Sequence, residues 1–294
     1  MNRTSTLACR SQFEATSALS RAFTLIELLV VIAIIGVLAS LLLPALAKGK
    51  ARAQTVHCVS NMKQLQLAWF EYAGDYNDRI PSNYGVTDVA GKAWATASWV
   101  SGLMAYETLT DAAPWYSEST NTSKLVPGGY GSIGGYTRTP RIYRCPSDKS
   151  WIKLGGRTHP RVRSISMNEW MNSLLIGDEA YWYVYRKTSD ITHPGPAQAF
   201  VFADEHEDSI VGGSFSVNTD WPDAGWVNLP ASRHNAGAGT FSFADGHAEI
   251  KKWTDPRTVV PVKREVHWFE HRSLNNPDLV WVQERATRKK PNAP

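Results

Sequence analysis

The chain has 294 residues, with 31 Lys and Arg against 27 Asp and Glu and a net charge of +4. Hydrophobic residues make up 43% and charged residues 20%, which excludes a disordered tail or a collagen-like fibre and leaves room for one or two domains. The basic surplus is too small and scattered to mark a nucleic-acid partner, and three cysteines exclude a disulfide-dense miniature fold.

A mean hydropathy of −0.30 conceals one concentrated segment. Residues 23–47 read FTLIELLVVIAIIGVLASLLLPALA, with no charge from Leu28 to Leu43. That is about the ~20 residues a helix needs to cross a bilayer. Glu27 is the one charge that interrupts it. A carboxylate at membrane depth costs roughly 2.5–3.5 kcal/mol, so stability does not explain it and a functional role does. Three readings fit the segment. It can be a secretory signal peptide with basic Arg3, Arg10 and Arg21, cut at Ala45-Leu46-Ala47 to release everything from Lys48 onward. It can be a plain single-pass anchor, for which three basic residues on either side leave the orientation open.

The third reading also accounts for the acid. Ala22-Phe23-Thr24-Leu25-Ile26-Glu27 resembles the processing site of type IV prepilins and type II secretion pseudopilins. In that family a basic leader is cut before a Phe, the new N-terminus is methylated, and a Glu follows four residues later. The resemblance implies cleavage between Ala22 and Phe23, methylation of Phe23 by a prepilin peptidase/methyltransferase, and an assembly role for Glu27. Gly36 and Pro44 also match the family's apolar helix, whereas Ala22 stands where Gly is usual.

Beyond the span, Cys58, Met62, Leu65, Trp69 and Tyr72 recur at spacings of 4, 3, 4 and 3, an amphipathic helical stripe. Pro44 and Gly49 are the expected kink or melting point, and Gly74-Asp75 with Pro81 the expected end. A helix over 23–74 is about 75 Å long, too long for a compact domain. Its first half (about 23–47) belongs in lipid or a filament core, and its second half (48–74) on a sheet. The segment also resembles a narrower group of large pilin-like proteins. These have a Cys at the start of the post-membrane helix, an Asn-Met-Lys-Gln-Leu stretch and a C-terminal His…Asp-Gly element, here His234 and Asp245-Gly246 with ten residues between them instead of nine.

From 75 to 136 Gly, Ser, Thr and Trp recur without a sustained period, which predicts a loop-rich insertion. Short strands are predicted at 141–145, 162–167, 180–186, 199–203 and 213–217, separated by Pro and Gly and forming an antiparallel sheet. Asp245-Gly246 predicts a two-residue hairpin turn pairing Phe243 with Ala248 and Phe241 with Ile250 on an apolar face, and Ser242 with Glu249 and Ala244 with His247 on a polar one. Residues 279–286 read as a short packing helix before a basic tail.

Cys9 would leave with the leader, so Cys58 and Cys145 remain. In an oxidising compartment they form either a disulfide worth roughly 4–5 kcal/mol or two buried thiols. For metal, the run Asp204-Glu205-His206-Glu207-Asp208 and the Asp245-Gly246-His247 turn supply carboxylates that suit Ca2+, with Asp204, Glu205, Asp245 and His247 the candidate ligands; a solvated strand end is the alternative. His267-Trp268-Phe269-Glu270-His271 spells an H-x-x-E-H zinc-peptidase motif, but too little chain follows for a third ligand. The twelve tryptophans are spread along the chain, for core burial or for a sugar-stacking or subunit surface.

The expected fold class is α+β: a long N-terminal transmembrane helix packed on an antiparallel β-sheet head. The parts are a leader (1–22), the helix (23–74) and an exported head (75–294). The expected function is a non-enzymatic pilin-like subunit without a cofactor, assembled with other pilin-like subunits into a type II secretion-like pseudopilus or pilus-like filament. It would span the cytoplasmic membrane once, with the leader cytoplasmic and the head periplasmic. The alternative is an exported carbohydrate-binding or hydrolytic protein that uses the same anchor.

Overall fold

The computed structural model describes residues 24–83, 98–102, 104, 119–126, 133–173, 179–219, 225–264, 271–291 and 293. Ala22, Phe23 and the rest of the leader, Trp94, Trp115 and Trp221, and most of the H-x-x-E-H stretch lie outside these residues. The chain divides into two units, Met1–Lys48 and Gly49–Pro294.

Helix α1 (Leu25–Asp75) runs through both units and is helical past Pro44 and Gly49, where a break was expected. In the first unit its large apolar residues from Leu25 to Leu46 are 46–78% exposed on every side. A helix apolar all round and left uncovered by the described residues needs lipid or neighbouring subunits to remove that surface from water. It is the one described helix long and apolar enough to cross a membrane. At its start Thr24 and Glu27 form a reciprocal cap. The Thr24 N–H and hydroxyl both donate to Glu27 Oε2 at 2.8 Å, and the Glu27 N–H donates to Thr24 Oγ1 at 3.2 Å.

In the second unit the α1 stripe is buried, with Cys58, Met62, Leu65 and Trp69 fully covered and Tyr72 partly so. A single helical turn, α2 (Gly134–Thr137), precedes a hairpin of β1 (Trp151–Leu154) and β2 (Arg157–Pro160). The main sheet contains β3 (Ile165–Asn168), β4 (Phe200–Asp204), β5 (Ser214–Phe215), β7 (Ala238–Phe243) and β8 (Ala248–Lys252), in the order β5-β3-β4-β7-β8. Its pairs are antiparallel except β3–β5, which is parallel, so the sheet is mixed. A two-residue pair, β6 (Gly225–Trp226) with β9 (His271–Arg272), and helix α3 (Pro277–Ala286) complete the described elements. The α3 cap is Asn276, whose side chain accepts from the Asp278 and Leu279 N–H groups, with Pro277 in the first turn.

Several expectations shift. Residues 140–143 form a 3-10 turn because Thr139 caps it and Pro140 presets its first φ, so no strand forms at 141–145. The segment 180–186 makes only isolated bridges, at Trp182 and Tyr185. The hairpin slips by one residue: Thr240 faces Ile250, Phe241 faces Glu249 and Ser242 faces Ala248. The turn is a three-residue loop, with the Gly246 N–H donating to Phe243 O, the Phe243 N–H donating to His247 O, and Gly246 at φ +98.

The slip matters less than expected because β7 is buried on both faces. Phe241 meets Phe200, Trp253 and Trp281 edge-on at 5.2–5.9 Å, forming the aromatic core under α3. The polar residues of β7 do not meet water. Thr240 and Ser242 lie under α1, where Ser242 donates to Gln66 Oε1 at 3.0 Å and Thr240 Oγ1 sits 3.2 Å from Cys58 Sγ. The helix thus packs on the sheet through polar contacts as well as through its apolar stripe. Of the described tryptophans, Trp69, Trp99, Trp170, Trp226 and Trp253 are buried core.

Candidate functional site

Four side chains from four separate elements meet beneath α1. Cys58 comes from the helix stripe. Cys145 follows the 3-10 turn, its N–H held by Ser164 Oγ at 2.9 Å. Asp204 ends β4. His234 precedes β7 in a tight turn whose next three residues, Asn235, Ala236 and Gly237, all have positive φ. That turn closes through Gly237 N–H to His234 O at 3.0 Å and His234 N–H to Ala238 O at 3.1 Å. All four side chains are buried, and their two sulfurs, one carboxylate oxygen and one ring nitrogen lie within 4.8 Å of one another.

Cys145 Sγ is 3.1 Å from His234 Nε2. On the far side of the ring, Nδ1 is 3.2 Å from Thr55 Oγ1, whose own proton goes to Ala51 O at 2.9 Å. The Thr55 hydroxyl is therefore an acceptor toward the ring, so Nδ1 carries a proton and Nε2 is the nitrogen turned to the sulfurs. Asp204 Oδ1 accepts from Ser164 Oγ at 2.9 Å and from Arg233 Nη1 at 2.5 Å. Asp204 Oδ2 has no hydrogen-bond partner and lies 3.6 Å from His234 Nε2. Arg233 also donates to Glu207 Oε1 and to Glu205 O.

These contacts set the charges. Burial disfavours the His234 imidazolium, but the Asp204 carboxylate 3.6 Å away and the contact with Cys145 outweigh it and bring its pKa up to about 9. Burial pushes the Cys145 thiol up, yet hydrogen bonds from Cys58 and His234 and the Arg233 charge bring it down to about 6. Cys58, donating to Cys145 and desolvated, is raised. The unliganded cluster is thus a thiolate and an imidazolium beside a protonated thiol. Cys58 and Cys145 are free thiols in this structure.

The other predicted site residues are placed elsewhere. Glu205 accepts from Ser166, Ser209 and Asn228 at 2.5–2.7 Å, and burial pushes its carboxyl up to about 7. The run 204–208 is buried throughout and is not a solvated strand end. Asp208, for example, accepts from the Lys263 and Arg264 N–H groups. Asp245 and His247 are exposed at the hairpin turn, where the carboxylate accepts from the His247 N–H at 3.1 Å and the ring stacks on Phe243. Of the four candidate metal ligands, only Asp204 joins the cluster. The sequence paired Cys58 with Cys145, as a disulfide or two buried thiols, but marked Asp204 and His234 apart from them, because contacts such as Cys145–His234 join positions 89 residues apart.

The long apolar helix running onto a mixed sheet defines a pilin-like protein. Residues 18–43 match the prokaryotic N-terminal methylation motif, and residues 47–195 match a family described as "Protein of unknown function (DUF1559)". The chain is also similar to the type II secretion system core protein G of Pectobacterium carotovorum subsp. carotovorum, 34% identical over 126 residues, covering 41% of this chain and 76% of that protein. The chain belongs to the DUF1559 family and is a prepilin-like pseudopilin. No solved structure matches it.

Proposed function

We propose that the chain is cut between Ala22 and Phe23 by a prepilin peptidase, N-methylated on Phe23, and assembled through α1 into a type II secretion-like pseudopilus or related filament. The leader is cytoplasmic, residues 23–74 form the anchor and rod, and residues 75–294 form a periplasmic head with no catalytic role. Glu27 supports this reading most directly. It is the lone charge on the exposed apolar half of α1, in the first turn of the helix. In lipid its carboxylate gains most by meeting the free amino group of a neighbouring subunit's Phe23, which sets the stagger between subunits as a buried polar group sets register.

Mass spectrometry of the protein from membranes is expected to find N-methylated Phe23 as the first residue; a start at Lys48 overturns the reading. Glu27→Ala is expected to leave cleavage and insertion intact while abolishing filaments, so normal filaments from that variant would refute its assembly role.

A further inference from the structure

The Cys58, Cys145, Asp204 and His234 cluster goes beyond a filament subunit's needs and is independent of the assembly reading. Two sulfurs, an imidazole nitrogen and a carboxylate oxygen converge from four elements, all buried. Asp204 adds a second observation. One of its oxygens is fully engaged by Ser164 and Arg233, while Oδ2, in a residue with no exposed surface, faces the cluster without a hydrogen bond. Oδ2 lies 3.6 Å from His234 Nε2, beyond hydrogen-bond distance, which leaves a buried carboxylate oxygen for a closer cation to complete.

We propose that these four residues form a closed tetrahedral site for a divalent transition metal, zinc foremost. Thiolate and imidazole donors select zinc-like ions over calcium or magnesium, which take oxygen. Metal–ligand bonds of about 2.0–2.3 Å put tetrahedral ligand atoms roughly 3.3–3.8 Å apart. The cluster's limit of 4.8 Å brackets that range, and the 3.1 Å Cys145–His234 contact opens by a few tenths of an ångström. The supporting contacts are in place: Thr55 holds the ring with Nε2 inward, and Arg233 with Ser164 orients Asp204 for one-oxygen binding. Binding forms four bonds to the ion and releases two protons, one from the Cys58 thiol and one from His234 Nε2, with Cys145 already a thiolate and no change of oxidation state. Two thiolates and a carboxylate leave one surplus negative charge on a zinc site, and Arg233 lies against it. The ion would tie α1 to the loop at Cys145, the end of β4 and the turn before β7, a structural rather than a catalytic site.

The test uses the full chain, without a histidine tag, extracted in detergent and dialysed against Zn2+. Elemental analysis is expected to find about one zinc per chain, falling at least tenfold in Cys58→Ser and in His234→Gln. Replacement by Co2+ in the unmutated protein is expected to show thiolate-to-cobalt charge transfer and tetrahedral ligand-field bands, which needs no variant to fold. Both thiols should resist alkylation until a chelator is added. A mass two hydrogens lighter with no free thiol, showing a Cys58–Cys145 disulfide, would overturn the proposal. So would two free thiols with no zinc after dialysis, or zinc retained in both variants.

Discussion

Glu169 shows how one buried group makes stability depend on pH. Burial raises its carboxyl from 4.5 to about 7, against the Val217 N–H and Ser216 hydroxyl that favour the charged form. Between those values the folded chain holds a proton that the unfolded chain has lost. The stabilisation from this group is therefore full below about pH 4.5 and is lost as pH rises through about 7. Glu169→Gln keeps the acceptor for Val217 and cannot ionise. Its stability relative to the parent is expected to improve by roughly 1–3 kcal/mol from about pH 5 to pH 8, measured by urea unfolding. A constant difference across that range rules the explanation out. Gly239, inside β7, is the other residue with a sharp expectation. A Cβ there would sit 2.7 Å from Ala231 O and 3.1 Å from the Trp253 ring, whose Nε1 donates to the same carbonyl at 2.8 Å. The obstacle is backbone, so Gly239→Ala is expected to lower stability by about 1–3 kcal/mol, and an unchanged melting temperature would show that β7 can move.

Among the elements, what the sequence revealed depended on the range of the forces involved. The α1 stripe at Cys58, Met62, Leu65 and Trp69 was readable because helix periodicity is local, and Leu279 and Val282 marked α3 for the same reason. The segment at 141–145 was misread because its apolar residues resemble a strand, while Thr139 and Pro140 decide for a turn. The hairpin slip at Asp245-Gly246 shows a turn signal located correctly with its loop length wrong. Alternation could not correct it. Ser242 reads as part of a polar face, yet it lies under α1 beside Thr240, and the helix supplies their partners through Gln66 and Cys58. The edge strand β8 was simpler, since Lys251 and Lys252 keep an exposed edge from pairing further. Of the candidate site only the Cys58–Cys145 pairing was legible; its convergence with Asp204 and His234 depends on tertiary packing.

At the scale of the whole molecule, every cluster residue lies within the unit Gly49–Pro294. A chain beginning at Gly49 is expected to be a soluble monomer by gel filtration without detergent, with a cooperative thermal transition. Aggregation or loss of cooperativity would show that the head depends on the apolar half of α1.

The positions of the four cluster residues also impose an order in time. Under the proposed topology the chain crosses the membrane from its N-terminal side, so Cys58 arrives first and His234 last. Thr55 waits across 179 residues for the ring it steadies, and Cys145 across 89 for the same ring. The cluster therefore closes only after most of the head has been delivered, and its closure would distinguish a subunit past that point from one still early in transit.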